Sequence, residues 1–266
     1  MHPRAQDWSA PGRWCPHGAD RAGRSVNIKL IVEYEGTRYH GWQAQTGRPT
    51  VEAALRDAIQ SLTGESPRLA AAGRTDAGVH ALGQVVNFKL EQPFPVDQLP
   101  GALNARLDPD IAVRHAELVD DAFDARYSAR ARLYAYRIRQ ALPRGAYQRQ
   151  YAWGVHDELD LAAMQLAGAR LEGRHDFRAF GRSPRPGGHT MRRIYDITVS
   201  ATGDWITIAV SADAFLYGMV RRIAGALVDI GRRKRPLEWI DELMNGSTVG
   251  LRLAPPQGLV QVGVEY

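Results

Sequence analysis

Residues 26–34 read VNIKLIVEY. Val26, Ile28, Leu30, Val32 and Tyr34 recur at period two, which places them on one face of an extended chain and marks a half-buried strand that opens the domain. Before it, residues 1–25 mix Pro, Gly, Arg and isolated Trp without any period, so they read as a disordered tail that carries no essential chemistry. After it, Thr50 stands as the N-cap of a helix in which Val51, Ala54, Leu55, Ala58, Ile59 and Leu62 form one apolar stripe, stopped by Gly64. Strands over 68–73 and 84–90, a helix over 96–107 and a strand within 108–118 complete a β-α-β-β-α-β order.

The second half repeats that order without repeating residues. A strand runs through ARLYAYRIR (131–139), a helix spans 160–171, and two strands over 193–200 and 204–212 meet at the Gly203 turn. A longer helix carries Leu216, Val220, Ile223, Leu227 and Ile230 on one stripe, a shorter helix follows Pro236, and GLVQVGVEY (258–266) is the last strand. The fold class expected is α+β, with two tandem ferredoxin-like βαββαβ units, residues 26–128 and 129–266, forming a largely antiparallel sheet flanked by helices. A cleft between the halves follows from that pairing.

The bulk properties restrict what such a fold does. Apolar residues make up 44% and charged residues 24% of the 266, an ordinary composition for a soluble domain with a sizeable core. No run nears the roughly 18 apolar residues of a membrane span, and the N-terminus lacks the apolar stretch of a secretory signal, so the expected location is the cytoplasm. The one cysteine, Cys15, has only His17 near it, so neither a disulfide nor a metal site is expected. The net charge is +5. The positive residues are mostly arginine and are bunched: Arg126, Arg130, Arg132, Arg137 and Arg139; Arg182, Arg185, Arg192 and Arg193; then RRKR at 232–235. Arginine forks suit phosphates, so a polyanion such as RNA is a natural partner for a cleft they line.

The connection between the second and third strands of the first half is RTDAGVHALG (74–83), far longer than the matching hairpin of the second half. It is compact and glycine-punctuated, and its single carboxylate is Asp76. That aspartate either closes an Asx-turn onto nearby N–H groups or works as nucleophile or base, with Arg74 beside it to meet a phosphate or favour the charged carboxylate. A two-carboxylate glycosidase, a phosphate-binding lysine loop, a dinucleotide fingerprint and a G-x-S-x-G elbow are all absent.

EYEGTRYHGWQAQ (33–45), AAGRTDAGVHALGQVVNF (71–88), ARLYAYRI (131–138), LEGRHDFRAF (171–180) and AFLYGMVRRIAGAL (214–227) occur in this order. Together they resemble the bacterial tRNA pseudouridine synthase A (TruA) family from about residue 26 to the C-terminus. The resemblance implies isomerisation of uridine to pseudouridine at positions 38, 39 and 40 of the tRNA anticodon arm, by a homodimer without metal or organic cofactor. It implies that Asp76 is the catalytic aspartate, by attack on the ribose C1′, by attack on the uracil C6 or by removal of a ribose proton. Tyr134 matches a tyrosine packed on the target base, Arg221 a basic residue paired with the aspartate, with Arg222 its competitor, and Arg74 an arginine that helps extrude the nucleotide. His80, His40 and Trp42 are expected to shape the fold or contact RNA. Gly218 departs from the pattern, in which a larger side chain stands there. The alternative is a structured-RNA-binding protein without turnover.

Overall fold

The computed structural model describes residues 25–92, 94–140, 146, 148–183 and 187–266. Residues 1–24 of the expected tail, Cys15 and His17 among them, and Arg185 of the second basic cluster lie outside the described residues. The first half comprises β1 (Val26–Tyr34), α1 (Val51–Thr63), β2 (Ala70–Ala71), β3 (His80–Leu90), α2 (Leu99–Asn104) and β4 (Ile111–Val119). The second comprises β5 (Ala131–Gln140), β6 (Trp153–Val155), α3 (Leu161–Ala169), β7 (Gly173–Asp176), β8 (Met191–Thr202), β9 (Trp205–Ala212), α4 (Met219–Gly231), α5 (Trp239–Met244) and β10 (Leu259–Glu265).

The strands form one ten-stranded sheet in the order β4-β1-β3-β10-β5-β9-β8-β7, with β2 paired to β3 and β6 to β5. It is antiparallel except where β10 meets β3 and β6 meets β5. The period-two face of β1 is as expected: Ile28, Leu30, Val32 and Tyr34 are buried against Leu55 and Ile59 of α1. A second core gathers Tyr136 and Ile138 of β5, Ile208 and Val210 of β9, and the α4 stripe. Burying each such side chain is worth about 1.5–3 kcal/mol, so each half has its own apolar reason to close.

Four details differ from the sequence reading. Thr50 has the extended backbone of an N-cap, but its hydroxyl is buried without a partner among the described residues. The first helical N–H groups, of Val51 and Glu52, donate instead to the carbonyls of Gly41 and Trp42, which supply the cap from another loop. The strand expected over 68–73 shrinks to Ala70–Ala71, because alanine and glycine offer little to pack, while β3 extends back to His80. The Asp76 connection is thus residues 72–79. The second helix is confined to Leu99–Asn104, where the Asn104 amide pairs with the N–H and C=O of Val113 and ties the helix end to β4. The added strands β6 and β7 are short and, in β7 (GRHD), too polar to show alternation.

One consequence positions the site. The Asp76 loop runs directly into His80, and His80 and Ala81 pair with Val260 and Gln261 of β10, where the two halves of the sheet join.

Candidate active site

The Asp76 loop is seated on residues 35–42. The Trp42 N–H donates to the Thr75 carbonyl at 3.1 Å, the Gly78 N–H to the Tyr39 carbonyl at 3.2 Å, and the hydroxyls of Tyr34 and Thr75 lie 2.7 Å apart. Two glycines make this approach possible. A Cβ on Gly36 would sit 2.0 Å from the Val79 carbonyl oxygen; Gly41, at φ +87°, faces the Thr75 carbonyl at 2.5 Å in the same sense. From the other side the Gln84 amide donates to the Gly73 carbonyl at 2.6 Å and accepts from Gln261 of β10. Within the loop the Val79 N–H closes a turn on the Asp76 carbonyl, so the turn is made by backbone and the Asp76 side chain remains available.

That side chain meets Arg221. The Arg221 Nη1 donates to Asp76 Oδ2 at 2.7 Å, with the two side chains 11% and 13% exposed, and its Nε donates to the Ala254 carbonyl. Arg222 turns away toward the carbonyls of Phe180 and Tyr217, so the choice between the two arginines falls to Arg221. Asp76, Arg74 and Tyr134 line one cleft of about 630 Å³, whose wall carries, among the described residues, six arginines against three carboxylates. Tyr134 is buried at 8% exposure with its ring edge-on to Phe215 at 5.1 Å. Burial raises its phenol pKa, with a further rise from the Asp76 charge against the opposing effect of Arg132, so the hydroxyl stays neutral.

Arg74 is exposed at the cleft and makes no hydrogen bond or ion pair among the described residues. Trp42 is buried against Tyr34 and belongs to the core. His80 is structural: its Nδ1 accepts the Gly36 N–H at 3.0 Å and its Nε2 faces the Gln150 carbonyl at 2.9 Å. Glu35 lies 3.3 Å from the same Nδ1. Burial lowers the His80 pKa, and a neutral ring that accepts from Gly36 has no Nδ1 proton to offer Glu35, so that contact is not an ion pair. Gly218 has φ +73°, and a Cβ there would lie 2.6 Å from Arg222 Nη1, so this backbone selects glycine.

The basic runs do not act as units. In β5 alternation separates them: Arg132 is buried on the side of Tyr134, whereas exposed Arg137 lines a different pocket with Tyr151 and Trp205. Arg192 is buried on the carbonyls of His189 and Met191. In the RRKR run Arg232 pairs with Asp157, Arg233 with Asp160, and Arg235 stacks on Trp239. Among the described residues, only Arg126, Arg132 and Arg182 of these clusters reach the cleft wall.

Comparison with known proteins decides the family. The family model described as tRNA pseudouridine synthase matches residues 30–128 and 167–266. The chain is 41% identical to tRNA pseudouridine synthase A of Thermoanaerobacter sp. (strain X514) over 242 residues, 90% of this chain and 99% of that one. It is 42% identical to tRNA pseudouridine synthase A of Myxococcus xanthus over 243 residues, 90% of this chain and 91% of that one. The chain belongs to the tRNA pseudouridine synthase A family. Asp76, Arg74 and Arg221 fall inside the segments matched by the pseudouridine synthase model, and Tyr134 falls between them. Among solved structures, one titled as a Cbf5-Nop10-Gar1 complex matches at 11% identity with a TM-score of 0.30, covering 75% of this chain and 54% of that one, too slight a likeness to bear on the fold.

Two residues of this pseudouridine synthase family member escaped the sequence reading. Phe215 supplies the edge contact to Tyr134, and its only signal was its place in AFLYGMVRR. Arg132 belongs to a basic cluster whose charge predicts phosphate contacts, yet its buried guanidinium donates to the carbonyls of Ala72, Ala129, Asp213 and Arg126, pinning the segments on either side of the cleft. Strand alternation was its available signal: it shares the inward parity of Tyr134. No group of three or more His, Cys, Asp or Glu able to hold a metal ion occurs among the described residues.

Proposed function

We propose that this chain isomerises uridine to pseudouridine in tRNA, at positions 38, 39 and 40 of the anticodon arm, with Asp76 as the catalytic carboxylate. The observation that carries this is the Asp76–Arg221 pair of 2.7 Å at the edge of an arginine-walled cleft, beside Tyr134. The C1′–N1 glycosidic bond breaks, the uracil turns, and a C1′–C5 bond forms; the C5 proton leaves and N1 takes one. Atoms and electrons balance within the substrate. Attack on C1′, attack on C6 and removal of a ribose proton all begin from the carboxylate anion, and Arg221 presents its cation to that anion.

Tyr134 packs on the target base, where its neutral hydroxyl relays the C5 proton to solvent by giving up its own proton as it takes that one. Arg74, exposed and unpaired among the described residues, takes a phosphate or the stacking position that the extruded nucleotide vacates; flipping costs a few kcal/mol, which such contacts offset. The cleft is the RNA-binding surface. We read the halves 26–128 and 129–266 as duplicated ferredoxin-like units, a reading supported by the strand orders β4-β1-β3-β2 and β10-β5-β9-β8. The resemblance further supports a cytoplasmic homodimer that needs neither metal nor organic cofactor.

The test maps pseudouridine in unmodified tRNA transcripts incubated with the purified protein, with and without added metal, beside Asp76→Asn. New pseudouridine at 38–40 from wild type alone is expected. Binding of the transcripts with every uridine unchanged would instead favour a structured-RNA-binding protein without turnover.

A further inference from the structure

Tyr217 has no part in the chemistry above, yet it is placed as if to bind. The residue is 50% exposed, although it follows the buried Leu216 and precedes the left-handed Gly218. An exposed aromatic on a solvated loop is ordinarily free to move; this one is held. The Tyr217 N–H donates to the Arg182 carbonyl at 3.0 Å, its own carbonyl accepts from Arg222, and the Arg182 guanidinium lies over its ring at 4.9 Å. Gly181 lets the two segments meet, since a Cβ there would fall 2.7 Å from both Leu216 Cβ and the Tyr217 carbonyl oxygen. Tyr217 also lines both the main cleft and a smaller recess of about 60 Å³ that it shares with Arg74, Asp76 and Tyr134.

We infer that Tyr217, backed by Arg182, is a stacking platform for the base of a nucleotide that flanks the target uridine. This rests on the reading of the cleft as the RNA site and extends it to a neighbouring nucleotide. Taking one base out of a stem exposes the faces of its neighbours, and an exposed aromatic ring beside the reacting group recovers part of the lost stacking. The guanidinium behind the ring adds positive charge where the adjoining phosphate passes. Because every base has a π-face, the platform tolerates sequence, as fits a site that accepts neighbouring positions in different tRNAs.

The test is a double-mutant cycle on binding, made in the Asp76→Asn background so that nothing turns over. An anticodon-arm transcript with its target uridine at 39, and the same RNA with an abasic site at 38 or at 40, is titrated against protein carrying Tyr217, Tyr217→Leu or Tyr217→Phe. The abasic site is expected to weaken binding to the Tyr217 protein by roughly tenfold at one of the two positions, and to have little further effect on Tyr217→Leu. Tyr217→Phe, which keeps the ring, is expected to behave as Tyr217 does. Equal losses for Tyr217 and Tyr217→Leu at both positions, or unchanged affinity of Tyr217→Leu for the intact RNA, would overturn the proposal. Turnover by the protein with Asp76 intact is followed in parallel; its absence would count against the reaction assigned to the cleft, separately from Tyr217.

Discussion

At the scale of single residues, the Asp76–Arg221 contact is a nearly buried ion pair whose partners have few other ways to be satisfied. Removing one member of a buried pair typically costs about 3–5 kcal/mol, because the other is left uncompensated. Arg221→Met is therefore expected to lower the unfolding free energy by an amount near the bottom of that range, since both side chains retain some exposure. It is also expected to cut turnover by about two orders of magnitude through misplacement of the carboxylate. Denaturant titration and single-turnover rates measure the two effects; a stable variant with wild-type rate would remove Arg221 from the site. Asp76→Asn should behave differently, losing turnover while tRNA affinity stays near wild type, because the amide keeps the shape but is a poor nucleophile and base. Arg132 shows how residue type alone misleads. Its charge suggested RNA, whereas its burial and four carbonyl partners make it an internal strut.

At the scale of elements, the Asp76 loop takes its shape from what it rests on. Gly36→Ala places a Cβ where the Val79 carbonyl oxygen is, and neither atom can yield without moving backbone. The expected outcome is a loss of about 1–3 kcal/mol in stability, of the size that overpacking causes, together with a marked loss of turnover. Thermal unfolding and pseudouridine formation check it, and an unperturbed Gly36→Ala enzyme would show that the loop is not seated as described. His80, at the loop's exit, bridges Gly36 in the first half and Gln150 in the second. Burial lowers its folded pKa below 6.5, so the unfolded chain binds more protons and stability rises with pH through that window. Stability is then fully present above about pH 6.5 and declines as the pH falls toward the folded value. Denaturation midpoints from pH 5 to 8 should show the decline in wild type, and His80→Gln, which does not titrate, should flatten it.

At the scale of the whole molecule, the join between the halves brings arginines from distant segments to one cleft and sends others away. Arg126→Gln and Arg182→Gln should each reduce the slope of log affinity against log salt by about one, the signature of a lost phosphate contact. Arg137→Gln, on the opposite face of the sheet, should leave that slope unchanged; an equal effect from all three would mean that RNA wraps both faces.

What the sequence by itself determined follows from local periodicity. The strand at 26–34, the helix at 51–63 and the α4 stripe were legible because a face that buries apolar atoms must recur at the period of the backbone. The β-α-β-β-α-β order of residues 26–119 and the specific GRTDAGVH segment likewise required no knowledge of packing. Polar and very short segments such as β2 and β7 showed no such period, so their extent was not legible. The resemblance already favoured Arg221 over Arg222 as the partner of Asp76; what only the tertiary structure supplied is the contact itself, made across 145 positions of chain while Arg222 turns to other carbonyls. The tertiary structure also decided that Arg132 is buried on four carbonyls and that Tyr217 is exposed at the cleft. These depend on register and on the join of β3 to β10. A charge has no periodic signature of its partner, because Coulombic and hydrogen-bond contacts are satisfied across space by whatever the packed apolar elements bring within reach.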